Sequence, residues 1–269
     1  MHDWLDLIPL AFWLIVGVAG YFLLPPLLIL FSQKMLASPQ IVEYDAATST
    51  PPRAIADYFA RCAAGLRACG FRRLSSVALP DPVPNVRAIL ELYVYEANRE
   101  TAMVTAVFGI VPGTPTLQTR YVEFISDFPE HELRMIQTNN NLEVGAFPDM
   151  PDAPTFRFPH VVDVERLYRL HRELVDHHAR TAAKSLPVLD RFHGDVTDYM
   201  RTKVIRESYE RQVETGYLRY DRDRDCFRPT VSGAYKMTWK LMWPAKPLIQ
   251  HGYRKDGRRL EAELLGVSG

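Results

Sequence analysis

From Leu7 to Phe31 the chain reads LIPLAFWLIVGVAGYFLLPPLLILF, without one charged side chain. This exceeds the ~20 apolar residues that a helix needs to cross the hydrocarbon core of a bilayer. A run of this kind dictates that whatever follows must fold while attached to a membrane. A cleaved secretory signal opens with basic residues and has a shorter apolar core. Here Asp3 and Asp6 lead, and no Lys or Arg precedes the run. Residues 1–33 are therefore read as an N-terminal transmembrane anchor. Pro25 and Pro26 remove backbone donors inside it, so they are expected to kink the helix or end it early unless neighbouring groups satisfy the freed carbonyls. A partner helix is one such neighbour.

Lys and Arg beside a span are retained on the cytoplasmic side. Lys34 follows the run and nothing basic precedes it, which predicts a single-pass protein of the cell membrane with its soluble domain in the cytoplasm. The 32 basic and 32 acidic residues cancel, so no global electrostatic pull toward nucleic acid or anionic lipid exists. The expected partners are the lipid bilayer and another membrane protein, with no nucleic acid among them. Cys62, Cys69 and Cys226 are too few for a disulfide framework or a four-cysteine zinc site.

Beyond the anchor, residues 34–52 mix Ser, Thr, Pro and Ala and read as a tether, with Thr50, Pro51 and Pro52 as a helix-entry signal. Residues 53–186 read as an α+β soluble domain. Its first element is an amphipathic helix carrying Ile55, Phe59, Cys62 and Leu66 on one face and ended by Gly70. The stretches Val86–Tyr95, Thr101–Ile110, Gln118–Ile125 and Glu132–Thr138 are rich in β-branched and aromatic residues. Short connections between them predict an antiparallel meander. Residues 139–159, with four prolines, are expected to be irregular, and a helix capped by Asp163 is predicted over Val162–Lys184. The expected arrangement is an antiparallel sheet flanked by helices that cover one of its faces.

Residues 187–269 predict a helical C-terminal region. Val196–Thr215 is a helix closed by Gly216, and Tyr217–Tyr220 with Cys226–Pro229 form a hairpin around a charged tip. Thr230 or Ser232 caps another helix, and the region ends in a basic, Trp-rich tail. That tail interleaves Trp239 and Trp243 with Lys236, Lys240 and Lys246. Tryptophan favours the headgroup region and lysine can snorkel toward anionic lipid, so these five residues are expected at the membrane interface. Pro244 and Pro247 are expected to limit helix to a short piece before them.

Chemistry-bearing motifs are scarce. No P-loop, dinucleotide fingerprint, nucleophile elbow or H-E-x-x-H occurs. His171, Glu173, His177 and His178 lie close in sequence, but helical spacing divides them between two faces, so they do not converge on a metal. Asp149 and Asp152 read as turn residues and Asp163 as a cap. No catalytic, cofactor-binding or metal-binding residue is assigned. The reading that fits best is an anchored accessory or scaffold subunit that docks on another membrane protein. A membrane-tethered module for a lipid or small apolar ligand, and an enzyme without a recognisable motif, are the alternatives.

Overall fold

A computed structural model describes residues 3–44, 53–80, 82, 85–111 and 114–266. The helix-entry signal at Thr50, Pro51 and Pro52 lies outside the described residues. The chain opens with α1 (Asp3–Ser32), β1 (Met35–Leu36), β2 (Val42–Glu43), α2 (Arg53–Ala68) and β3 (Arg72–Leu79). Four strands follow, β4 (Val86–Tyr95), β5 (Glu100–Val111), β6 (Thr114–Asp127) and β7 (Met135–Asn139), then the short β8 (Thr155–Arg157). The remainder comprises α3 (Val164–Ala179), α4 (Pro187–Asp190), α5 (Val196–Tyr199), a π-helical segment (Met200–Arg206) and α6 (Glu207–Glu214). The hairpin β9 (Leu218–Asp221) and β10 (Cys226–Pro229) leads to α7 (Val231–Leu241) and α8 (Ala245–Leu265). The class is α+β.

The main sheet runs in the order β2-β3-β4-β5-β6-β7-β8. All its neighbours are antiparallel except β7 and β8, which pair parallel. Parallel pairing demands a long connection, and residues 140–154 provide it. The segment expected to be irregular thus adds an edge strand.

Helices cover both faces of this sheet, which corrects the expectation of one covered face. On one side α2 and α3 pack Ile55, Phe59, Leu66, Leu167, Leu170 and Leu174 over Tyr93, Val104, Val122 and Phe124. On the other, Leu186, Val188, Phe192, Val196, Tyr199 and Met200 cover Leu90, Leu92, Val94, Met103 and Ile125. The cause is visible in β4, whose sequence VRAILELYVY is apolar at nearly every position rather than at every second one. A strand apolar on both sides must be buried on both sides. Local signals hold α2 and α3 in place. Gly70 takes φ +93° just after α2, and the Asp163 carboxylate accepts from the Arg166 amide at 2.6 Å at the start of α3.

The first part of the expected tether is built into the protein. Met35 and Leu36 pair with Phe227 and Cys226, making a three-stranded sheet in the order β1-β10-β9. Val42 and Glu43 pair with Ala78 and Val77. Met35, Ala37, Leu218, Phe227 and Met237 form a small core, against which Ile29 of α1 packs. Residues 34–44 read as linker because two-residue strands carry no periodic signal.

Among the described residues one helix, α1, is long and apolar enough to cross a membrane. It remains helical through Pro25 and Pro26, so the prolines do not end it. Pro26 is buried and Pro25 half-buried, in the part of α1 that packs against α7 and β10.

The C-terminus is not a tail. Pro247 falls in the first turn of α8, where a missing amide donor costs nothing. Glu261 of α8 accepts from Arg166 Nε at 2.6 Å and lies 2.6 Å from His160 Nε2. Gly257 is needed where α8 crosses β8, since a Cβ there would stand 2.6 Å from the Arg157 carbonyl oxygen.

Candidate functional site

Two regions carry chemistry that the fold does not consume: the surface around α1 and α7, and a cleft over the main sheet. In the first, α7 lies along α1. The Trp239 ring stacks 4.6 Å from Phe22, and Tyr21 Oη donates to the Trp243 carbonyl at 2.7 Å. Trp243 itself is 74% exposed, so the two tryptophans expected at the interface divide, one against the anchor and one outward.

The lysines divide too. Lys236 sits 5.0 Å over the Tyr217 ring. Lys240 donates to the Phe147 carbonyl, and burial lowers its pKa. Lys246 pairs with Glu143 at 2.7 Å. Lys240 and Lys246 are thus each engaged by a group of the domain.

The cleft has a volume of about 410 Å³. Its floor is the face of β5 to β8 that α4 and α5 leave uncovered. Strand alternation puts Tyr121, Glu123 and Asp127 on that face of β6, with Gln137 and Asn139 from β7 and Thr155 and Arg157 from β8 beside them. Its roof is the π-helical segment and α6, presenting Lys203, Glu207, Ser208 and Arg211, and the 143–150 loop closes one side. π-Helical turns recur at functional sites.

The floor is mixed, with Met103, Ile125 and Met135 among its polar groups, and those polar groups are ordered. Asn139 Nδ2 donates to Glu123 Oε2 at 2.8 Å, and Thr155 Oγ1 donates to Gln137 Oε1 at 2.9 Å. Arg157 grips Asp149 with both terminal nitrogens, at 2.8 and 3.0 Å. Burial pushes the Glu123 carboxyl above the usual range against the opposing Asn139 hydrogen bond. Burial does the same to Asp127, which faces Lys203 at 3.3 Å. Asp149, read as a turn residue, is thereby a wall of the cleft, and Asp152 pairs with Arg211.

No family model, curated protein or solved structure matches this chain. Its chemistry therefore rests on its own geometry. Among the described residues no three His, Cys, Asp or Glu side chains gather as metal ligands. His177 and His178 lie on the exposed side of α3, while His171 is fully enclosed. His171 Nε2 lies 3.0 Å from Ser126 Oγ, and Nδ1 lies 2.9 Å from Thr138 Oγ1. A serine beside a histidine suggests a nucleophile and base, but both are 0% exposed. Substrate has no route to them, and the pair joins α3 to the sheet.

Glu123 was not singled out by sequence reasoning. The only local signal is a charged residue inside a strand otherwise built for burial.

Proposed function

We propose that the protein is a membrane-anchored accessory subunit, holding its domain at the cytoplasmic face of the cell membrane against another membrane protein. The observation that carries this reading is an apolar stripe on the far side of α1 from α7. Leu24, Leu28 and Phe31, spaced i, i+4 and i+7, are 60%, 66% and 69% exposed. Phe22, Pro26 and Ile29 form the opposite, domain-facing side. Leu7 to Pro26, uncharged throughout, rises about 30 Å, the thickness of the hydrocarbon core. The ring cluster of Tyr21, Phe22 and Trp239 then marks the interface, where aromatic residues concentrate. The stripe continues past that level, beside the domain, where bulk lipid does not cover it. A second apolar helix does, and large exposed apolar patches mark such contacts. Lys34, just beyond the span, supports the cytoplasmic orientation.

A module for an apolar ligand has less support, because Glu123, Asp127, Gln137, Asn139 and Arg157 stand on the cleft floor beside the apolar Met103, Ile125 and Met135.

A photo-reactive amino acid at Leu28 tests the proposal in native membranes. It is expected to yield one protein adduct of discrete mass, while the same group at Trp13 yields lipid adducts. Lipid adducts alone at Leu28 overturn the accessory reading.

A further inference from the structure

Five carboxylates line the cleft over β5 to β8: Glu123, Asp127, Glu143, Asp149 and Glu207. Four face a cationic side chain. Asp127 meets Lys203 at 3.3 Å, Glu143 meets Lys246 at 2.7 Å, Asp149 meets Arg157 at 2.8 Å and Glu207 meets Arg191 at 2.6 Å. Glu123 has none. Its one protein hydrogen bond comes from the neutral amide of Asn139 at 2.8 Å, on Oε2. Oε1 faces the cavity with no donor among the described residues. The floor of the cleft therefore holds one carboxylate with no ion pair of its own, and a partly desolvated charge that lacks one is costly.

We infer that the cleft binds a small organic cation, a primary amine, with its ammonium group on Glu123 Oε1. The volume of about 410 Å³ falls within the range of small-molecule sites. The ring of Tyr121 on the floor and that of Phe147 on the side wall supply surfaces that favour a cation. A divalent metal is the wrong occupant, since it demands about six oxygens and one free carboxylate oxygen does not provide them. An anion is the wrong occupant because Lys203, Arg157 and Arg211 already hold carboxylates. The burial that raises the pKa of Glu123 is the same desolvation that a bound ammonium offsets. This binding is independent of any partner on α1, so either can fail alone.

Equilibrium dialysis with the full chain in phosphatidylcholine nanodiscs, which carry no net charge, tests the assignment. Labelled putrescine is expected to bind saturably at one site per chain, and unlabelled butylamine to displace it. Butane-1,4-diol, of similar length but uncharged, should not compete. Glu123→Gln keeps an acceptor for Asn139 and removes the charge, so it should weaken binding about tenfold or more. Ser208→Trp, which fills the mouth of the cleft from α6 and leaves Glu123 intact, should also reduce binding and decides the matter if the Gln variant does not fold. Absence of saturation in the millimolar range, equal competition by the diol, displacement by magnesium, or native binding in both variants each overturns the proposal.

Discussion

His171 shows how much one buried side chain can impose. It stands at the centre of α3 with both ring nitrogens engaged by hydroxyls of the sheet, and its ring stacks on Phe124. Burial lowers its pKa to about 4, against the opposing pull of Glu100. A histidine that stays neutral when folded but takes a proton near pH 6.5 when unfolded stabilises the fold fully above pH 6.5. That stability is lost as pH falls toward about 4. Over that window the loss amounts to about 3 kcal/mol. Urea unfolding in micelles at pH 7.5, 6.0 and 5.0 should show this slope. His171→Phe should flatten it and start from lower stability at pH 7.5, because Ser126 and Thr138 lose their partner. A native slope in the variant would place the titration elsewhere.

At the scale of elements, close approach of backbones sets the tolerances. A Cβ on Gly233 would stand 1.9 Å from the Tyr217 carbonyl oxygen, which lies just ahead of β9 and is held there by the Thr230 amide at 3.0 Å. Gly233→Ala should therefore push α7 off β9, cost about 2 kcal/mol or more, and withdraw Trp239 from Phe22. Lower thermal stability together with altered tryptophan fluorescence checks this; an unchanged melting temperature refutes it. The elements legible from sequence were those with a sustained period, a cap or a turn: α1, α2, α3, α7, the strands β4 to β7 and the hairpin of β9 and β10. β3 escaped because its alternation is broken by a bulge between Arg73 and Ser75. β8 has three residues, and α8 was hidden by prolines that begin a helix rather than stop it. The cleft was illegible for a different reason. Glu123, Asn139 and Arg157 each sit in an ordinary strand, and only the lateral pairing of β6, β7 and β8 brings them together. Asn139 to Asn141, read as a loop signal, shows the ambiguity: Asn139 both closes β7 and holds Glu123.

On the scale of the whole molecule, anchor and domain share one structure, which changes where the chain can be cut. Average composition suggests that a chain starting at Pro51 is a free-standing domain. Such a chain lacks β1, β2 and α1, leaving the edges of β10 and β3 unpaired and Phe227, Met237 and Trp239 uncovered. It should bind a hydrophobic dye and melt below a chain starting at Gln33, which retains both strands; equal melting temperatures would show that the pairing contributes nothing. The pairing of Met35 with Phe227 also bears on the order of events during synthesis. α1 leaves the ribosome first, but the strand and helix that grip it come nearly two hundred residues later. At ~5–20 residues per second that is a delay of roughly 10–40 s. Through that interval the inner face of α1, with Phe22, Pro26 and Ile29, lacks the domain surface that covers it in the folded chain. Under the proposed anchoring, maturation is a two-step event in which insertion precedes folding, and nascent chains stalled before β10 should be the ones most exposed to membrane quality control.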